Sequence, residues 1–325
     1  MRTLLRTALV FACAGASLAP ISTEAQSGYG KPLRIVVTYP PGGPIDGLTR
    51  PFAQRLSEAI KSPVIVENRA GANGAIGYEH VAKSAPDGYT LTIGAAGPFA
   101  ISPKAFVRPL PYDPVKDFAP ITTMATMPEL LTTNMSLPVR TVKELVALAK
   151  RRPGELVYAS SGTGGTPHLA MELFKQAAKI DMVHVPYKGA GPATMEVIGG
   201  QTQLIFADLP VLLPQVQAGK LRALAVGTEK RNASLPNVPT MLEQGFQVIA
   251  YNWYGVFAPA ATPKDMVTRL NADMMRVLNQ PETKAIMLKF GADAAPGTPD
   301  ALAQLLREEL ERWGQVVKAS GIKLE

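Results

Sequence analysis

Short runs of β-branched and other apolar residues alternate along the chain with longer segments in which apolar positions recur every three to four residues. A short continuous apolar run is typical of a buried strand, and the longer period is typical of a helix with one buried face. The run at 33–38 therefore predicts a strand. The segment after it predicts a helix whose buried face carries Leu48, Phe52, Leu56 and Ile60. The same alternation predicts strands at 64–66, 89–94, 156–159, 182–186, 204–206 and 224–227, and helices at 78–84, 142–151, 167–179, 192–198, 212–218, 266–278, 281–289 and 299–318.

Strands that alternate with helical crossovers of this length call for parallel sheets covered on both faces. The alternation breaks at two places. Two extended segments, 121–124 and 130–134, follow each other without a long helix between them, and an aromatic extended segment spans 248–259. Two βαβ blocks joined by such segments predict an α/β protein with two sheets and a two-strand hinge.

The N-terminus has the layout of a secretory signal. Two arginines fall among the first six residues, an apolar run follows, and small residues lead to a cleavage site that we place after Ala25. Removal of 25 residues from 325 leaves a mature chain of 300 that begins at Gln26. Cys13, the only cysteine, leaves with the signal, so the mature protein is expected to have no disulfide and no thiol chemistry.

The charge balance is mildly basic. The formal net charge is +7, and loss of two arginines and one glutamate with the signal leaves +6. Lysine and arginine are spread along the chain, and the single cluster at 150–152 is better explained as a solvated surface than as a site for nucleic acid or a membrane. We therefore expect no nucleic-acid partner.

A glycine-rich loop follows the first predicted strand, at residues 39–46. In an open parallel sheet, ligands bind beyond the carboxyl ends of the strands, and a helix start exposes N–H groups to an anion. Asp46 is placed to cap the helix that begins here. A tight turn without any ligand is the alternative. The candidate contacts in the first domain are Tyr39, Pro41, Gly42, Gly43 and Asp46, with Ala96 after the strand at 89–94.

A second such loop, at residues 160–168, also joins a strand to a helix. Thr166 is predicted as the N-cap and Pro167 as the first helical residue. The His168 ring is expected to bond nearby backbone, and the loop as a whole would cradle a carboxylate. A valine at Gly164 is expected to block the ligand without lowering stability. The candidate contacts here are Ser160, Ser161, Gly162, Gly164, Thr166 and His168.

Two further side chains complete the candidate set. Tyr187, in the loop after the strand at 182–186, could donate to a ligand, although a rim position is the default for such a residue. Asp208, after the strand at 204–206, would accept from an amino or hydroxyl group or would cap the next helix. The cap is the favoured reading of the two.

No catalytic, metal or cofactor signature emerges from these residues. Pro167 stands where a dinucleotide-binding loop needs its third glycine, and no Gly-Lys-Ser/Thr run of a phosphate loop occurs. Ser160 and Ser161 lack the Gly-x-Ser-x-Gly frame of an esterase. The chain has three histidines and none are paired at metal-ligand spacing, so we expect neither a metal nor a cofactor.

Five longer motifs occur in order along essentially the whole mature chain. They are P-P-G-G-x-x-D at 40–46, V-E-N-R-x-G at 66–71, A-P-D-G-Y-T-L at 85–91, V-P-Y-K-G at 185–189 and A-G-K-L-R-A-L-A-V at 218–226. With these motifs the chain resembles the Bug receptors, the extracytoplasmic substrate-binding proteins of tripartite tricarboxylate transporters.

This resemblance implies a two-domain periplasmic binding protein, or Venus flytrap, with residues 26–127 and 252–325 in domain 1 and residues 128–251 in domain 2. Together with the signal layout and the lack of a catalytic constellation, it predicts a monomer, free in the periplasm, that is not an enzyme. It further implies a small-molecule carboxylate held mainly by backbone N–H groups of the two loops, and two integral membrane subunits as partners. Two alternatives stay open: a hydrolase that uses Ser160 or Ser161, and a ligand-sensing input to a signalling partner.

The chain departs from the family pattern at its first loop. The family usually has Gly-Gly-Gly-Thr-Asp, whereas Pro44 and Ile45 replace the third glycine and the threonine here. One backbone donor and one hydroxyl are thereby lost near the expected ligand. We therefore expect a monocarboxylate or aromatic acid rather than citrate. Pro51, early in the first helix, is expected to distort its first turns.

Overall fold

The computed structural model describes residues 29–324, so the predicted signal and its cleavage site lie outside the described residues. The first part of the chain forms β1 (Leu33–Val37), α1 (Pro44–Ile60), β2 (Val64–Asn68), α2 (Ala75–Ala82), β3 (Thr90–Ala95), α3 (Ser102–Ala105) and β4 (Phe118–Asn134). The middle forms α4 (Val142–Arg151), β5 (Val157–Ser160), α5 (Thr166–Ala178), β6 (Val183–Pro186), α6 (Ala190–Gly199), β7 (Leu204–Asp208), α7 (Leu209–Gln217) and β8 (Leu221–Val226). The last part forms β9 (Tyr251–Pro259), α8 (Lys264–Leu278), α9 (Pro281–Lys289), β10 (Asp293–Ala294) and α10 (Pro299–Ser320). Across this described part of the chain, no helix is both long enough and apolar enough to cross a membrane.

The strands form two sheets that share β4. The first has the order β2-β1-β3-β9-β4-β10 and the second the order β6-β5-β7-β4-β8. Pairing is parallel among β1, β2 and β3 and among β5, β6 and β7. The strands next to the hinge pair antiparallel, because the chain leaves the first sheet along β4 and returns along β9. The expectation of mostly parallel sheets therefore holds for three strands of each sheet only.

The two extended segments predicted at 121–124 and 130–134 are one strand of 17 residues, β4. Its first part pairs with β9 as far as Pro128, and from Glu129 onward it pairs with β7 and β8. Among the described residues, no strand between 157 and 226 pairs with β1, β2 or β3. The exchange of partners, between Pro128 and Glu129, lies one residue beyond the domain boundary expected at 127/128. The domain limits stay a prediction that this pairing supports.

Apolar clusters cover both faces of each sheet. In the first domain, α1 and α8 pack on one face. On the other face, α10 packs through Trp313 in the same cluster as Trp253 of β9. The predicted inner face of α1 is confirmed, since Leu48, Phe52 and Leu56 are almost fully buried, as is Ile60. The helix runs without a break through Pro51, contrary to the expected distortion. This packing fixes where α1 begins, at the edge of the candidate site.

Candidate functional site

A cleft of about 840 Å³ lies between the two sheets. Both glycine-rich loops line it from opposite sides, and β9 contributes Asn252 and Tyr254 from the hinge. The carboxyl ends of β1, β3, β5 and β7 all lead into loops or helices at this cleft, which is the position that open parallel sheets use for ligands.

The first loop turns at Gly42, which has a φ of +82°, and Gly43 occupies the N-cap of α1. Asp46 is therefore not the cap that the sequence predicts but lies inside the first turn. Its carboxylate accepts hydrogen bonds from the Gly42 amide at 3.0 Å, Arg50 Nε at 2.9 Å and Asn68 Nδ2 at 2.9 Å. Burial alone would raise the pKa of Asp46, but these hydrogen bonds outweigh burial and lower it. The side chain braces the loop from behind.

The second loop is shaped by Gly162 and Gly164, with φ values of +138° and +75°. Gly165 takes the N-cap of α5, so Thr166 is the first helical residue instead of the predicted cap. The Thr166 hydroxyl donates to Asn252 Oδ1 at 2.8 Å. The Gly164 amide donates to His168 Nδ1 at 3.1 Å, which confirms the predicted bond between this ring and nearby backbone.

The N-termini of α1 and α5 therefore converge on one cleft. Neither helix has a side-chain hydrogen bond at its N-cap. The first turn of an α-helix leaves N–H groups without partners inside the helix, and its dipole places partial positive charge at that end. Two such ends facing a shared space form an anion-binding arrangement made of backbone.

Charged side chains contribute little to this arrangement. The lining drawn from residues 29–324 contains no lysine, arginine or histidine, and Asp208 is its only acid. Burial raises the pKa of Asp208 to about 6 and that of Tyr39 to about 12. Nor does the described chain contain a group of three side chains suited to hold a metal ion. An anion in this cleft would be held by neutral donors.

Asp208 occupies the N-cap position of α7, but its side chain makes no capping hydrogen bond. Its Oδ1 atom instead accepts from Asn252 Nδ2 at 2.6 Å. The prediction that the Asp208 side chain caps the helix is therefore wrong, and the carboxyl faces the cleft.

The structure brings most of the candidate residues together and leaves five outside. Ser160 and His168 are buried behind the second loop, and Tyr187 packs against the core of the second domain. Asp46 lies behind the first loop, and Ala96 is buried between two residues that do line the cleft. The candidates that line it are Tyr39, Pro41, Gly42, Gly43, Ser161, Gly162, Gly164, Thr166 and Asp208.

Several lining residues were not among the candidates. Asn252 and Tyr254 belong to the aromatic extended segment, so their place in the hinge was the available signal. Phe106 and Leu324 had no such signal. They meet in an isolated parallel bridge in which Val107 N donates to Leu324 O at 2.9 Å. Leu324 thereby reaches the second loop.

Two α/β domains on a two-strand hinge, with a cleft between them into which helix N-termini point, define the class of periplasmic solute-binding proteins. Residues 48–322 match the family model described as tripartite tricarboxylate transporter family receptor. The chain belongs to this family.

Individual relatives agree with this assignment. Protein BugT of Bordetella pertussis is 34% identical over 330 residues, which covers 100% of this chain and 99% of that protein. A Rhodopseudomonas palustris protein solved with adipate is 36% identical with a TM-score of 0.79, covering 90% of this chain and 98% of that one. MatC from Rhodopseudomonas palustris, solved with bound malate, is 31% identical with a TM-score of 0.73, covering 89% and 99%.

Proposed function

We propose that the protein is a periplasmic receptor that binds a small organic carboxylate in this cleft and delivers it to a tripartite tricarboxylate transporter. The observation that carries the proposal is the convergence of two helix N-termini, both without side-chain caps, on a cleft to which residues 29–324 contribute no cationic side chain. Backbone donors of this kind suit a carboxylate. Adipate and malate, each seen with a relative, are acids of this class.

The proposal includes a monomeric receptor that is free in the periplasm and two integral membrane subunits as partners. The family assignment and the signal-like N-terminus support this part. Co-purification of the receptor with the two subunits from a membrane fraction, in the presence of ligand, would test it.

We propose that the protein turns over no substrate, although a serine and a histidine do meet. Ser160 Oγ lies 2.7 Å from His184 Nε2, the pairing that a hydrolase would need. The serine is fully buried behind the second loop, and its hydroxyl also lies 3.2 Å from the Gly162 amide, which donates to it. A ligand in the cleft would not reach Oγ, so the pair supports the loop. Recovery of an unchanged ligand after prolonged incubation is the expected result, and a product lost in Ser160→Ala would contradict it.

The ligand is proposed to be an acid with an apolar or aromatic body. Pro44 and Ile45 line the cleft at the start of α1, and Pro98 and Phe106 add apolar surface. A polar ligand group buried against such residues loses its partner at a cost of about 1 to 3 kcal/mol. Citrate, with three carboxylates and a hydroxyl, would leave several such groups facing this surface.

Calorimetric titration of citrate, glutamate and an aromatic carboxylate tests both parts of the proposal. The aromatic acid is expected to bind tightest, and the double variant Pro44→Gly with Ile45→Thr should move the preference toward the more polar ligands. Tighter binding of citrate would contradict the proposed ligand class but would agree with the proposed receptor function. If no organic acid bound, the receptor function itself would fall. Mass spectrometry of small molecules retained after gentle purification is an independent check.

A further inference from the structure

Asp208 presents an unused acceptor to the cleft. Its Oδ1 atom takes the hydrogen bond from Asn252, and none of the described residues donates to Oδ2. The backbone of Asp208 begins α7, yet the side chain makes no bond to the first turn of that helix. A carboxylate at a helix start usually accepts a hydrogen bond from the first turn. The Asp208 side chain does not, and it bonds to Asn252 instead.

The direction of this acceptor is fixed by a chain of two hydrogen bonds. Asn252 Oδ1 accepts from the Thr166 hydroxyl at 2.8 Å, and its Nδ2 must therefore face Asp208, at 2.6 Å. Thr166 is the first residue of α5, one of the two helix ends proposed to hold the ligand carboxylate. Asp208 consequently lies two hydrogen bonds from that helix end and lines the same cleft.

A second acid, Glu129, lies beside Asp208 and makes no hydrogen bond to it. Glu129 pairs with Asp208 in the register of β4 and β7, is fully buried, and has no hydrogen-bond partner for either carboxylate oxygen within residues 29–324. Burial first, and the charge of Asp208 second, raise the pKa of Glu129 well above its ordinary value, while Arg312 opposes the rise. An anionic ligand next to ionised Asp208 would be repelled unless it brings a donor of its own.

We propose that Asp208 selects ligands that carry a hydrogen-bond donor, an ammonium or a hydroxyl, on the carbon next to their carboxylate. The cleft then takes amino or hydroxy acids in preference to matched acids without that group. This inference rests on the proposed function, because it uses a carboxylate held at the start of α5. The apolar body of such a ligand would lie toward Pro44 and Ile45, so the two selections act on different parts of one molecule.

Three acids that share a phenylpropanoate skeleton test the inference: 3-phenylpropanoate, 3-phenyllactate and phenylalanine. At least one of the two donor-bearing acids should bind the wild-type protein about tenfold tighter than 3-phenylpropanoate, the ratio that one net hydrogen bond supplies. In Asp208→Asn, the side-chain oxygen keeps the bond from Asn252, so the new NH₂ group faces the cleft and turns an acceptor into a donor. The preference should then vanish or reverse. Asp293→Asn removes the same charge from β10, outside the cleft, and should keep the wild-type preference.

Each other outcome decides the matter. Equal affinities for the three acids in the wild-type protein overturn the inference, even if Asp208→Asn does not fold. A preference that survives in a folded Asp208→Asn, judged by its thermal midpoint, overturns it as well. If none of the three binds but adipate does, the inference fails and the receptor function stands. If adipate, malate and citrate also fail to bind, the receptor function fails and the inference with it.

Discussion

The imidazole rings of His168 and His184 stack face to face, with centroids 3.7 Å apart and planes inclined by 9°. His168 accepts from the Gly164 amide, and His184 lies at hydrogen-bond distance from the Ser160 hydroxyl. Tyr158 stacks on His184 at 5.0 Å. The pair therefore supports the second loop from behind. Burial lowers the pKa of both rings to about 4, so both are neutral at physiological pH.

Acid should weaken the fold through this pair. The folded-state pKa values of about 4 lie below the ordinary value of 6.5, so the unfolded chain binds more protons between these limits. The free energy of unfolding contributed by the pair is fully present above pH 6.5 and is lost as the pH falls toward 4. His184→Gln keeps a polar partner for Ser160 without an imidazole, and its thermal midpoint should fall less steeply from pH 7 to 4.5 than that of the wild-type protein.

His80→Gln provides the matched control, since His80 lies on α2, away from the stack. Its thermal midpoint should follow the wild-type curve over the same pH range. Parallel curves for His184→Gln and the wild-type protein would show that the stacked pair does not drive the acid response.

Gly164 is constrained by its own backbone and by Leu324. Its φ of +75° is unfavourable for any residue with a β-carbon, by about 1 to 2 kcal/mol. A β-carbon there would also overlap the Leu324 side chain. The structure thus revises the expectation that Gly164→Val leaves stability intact. Gly164→Ala should lower the free energy of unfolding in denaturant titrations, and by less when it is made in a Leu324→Ala background than in the wild-type protein. Equal losses in the two backgrounds would assign the whole cost to the backbone.

Glu309 holds two buried tryptophans together. Its Oε2 atom accepts from Trp313 Nε1 at 2.9 Å and from Trp253 Nε1 at 3.2 Å, and Oε1 pairs with Arg312 at 2.7 Å. A buried donor left without a partner costs about 1 to 3 kcal/mol, so Glu309→Ala should lower the free energy of unfolding by about 3 kcal/mol or more. Glu308→Ala, at an exposed position on the same helix, should change it little. Similar losses in the two variants would show that the effect belongs to the helix and not to the indoles.

Local pattern predicted much of this molecule because the relevant interactions are close in sequence. The predicted limits of the helices at 142–151 and 281–289 are those of α4 and α9, and both glycine loops line the cleft. The predicted caps failed for a local reason as well: Gly43 and Gly165 take the N-cap positions, which moves Asp46 and Thr166 into the helices.

The missed residues depend on contacts between distant segments. Leu324 enters the cleft only because it bridges to Phe106, more than two hundred residues away, through isolated hydrogen bonds without any periodic pattern. The sequence pattern favours a helix cap at Asp208 because the competing partner, Asn252, arrives on a strand that returns from elsewhere in the chain. Single-sequence patterns carry no record of such pairings.

The pH dependence of binding should have opposite signs for ligands with and without an ammonium group. Burial raises the pKa of Asp208 to about 6, and the titratable side chains that face it are Glu129 from β4 and Tyr254 from β9. As the pH falls from 8 to 5, Asp208 takes up a proton and no longer repels an anion. The affinity for 3-phenylpropanoate should rise, by at most about tenfold per pH unit for one linked proton, and the affinity for phenylalanine should fall because its ammonium loses an anionic partner.

Dissociation constants measured by calorimetry at pH 5, 6, 7 and 8 check both slopes, and Asp208→Asn should flatten them. Slopes of the same sign for the two acids, or slopes that persist in Asp208→Asn, would assign the linked proton to another group.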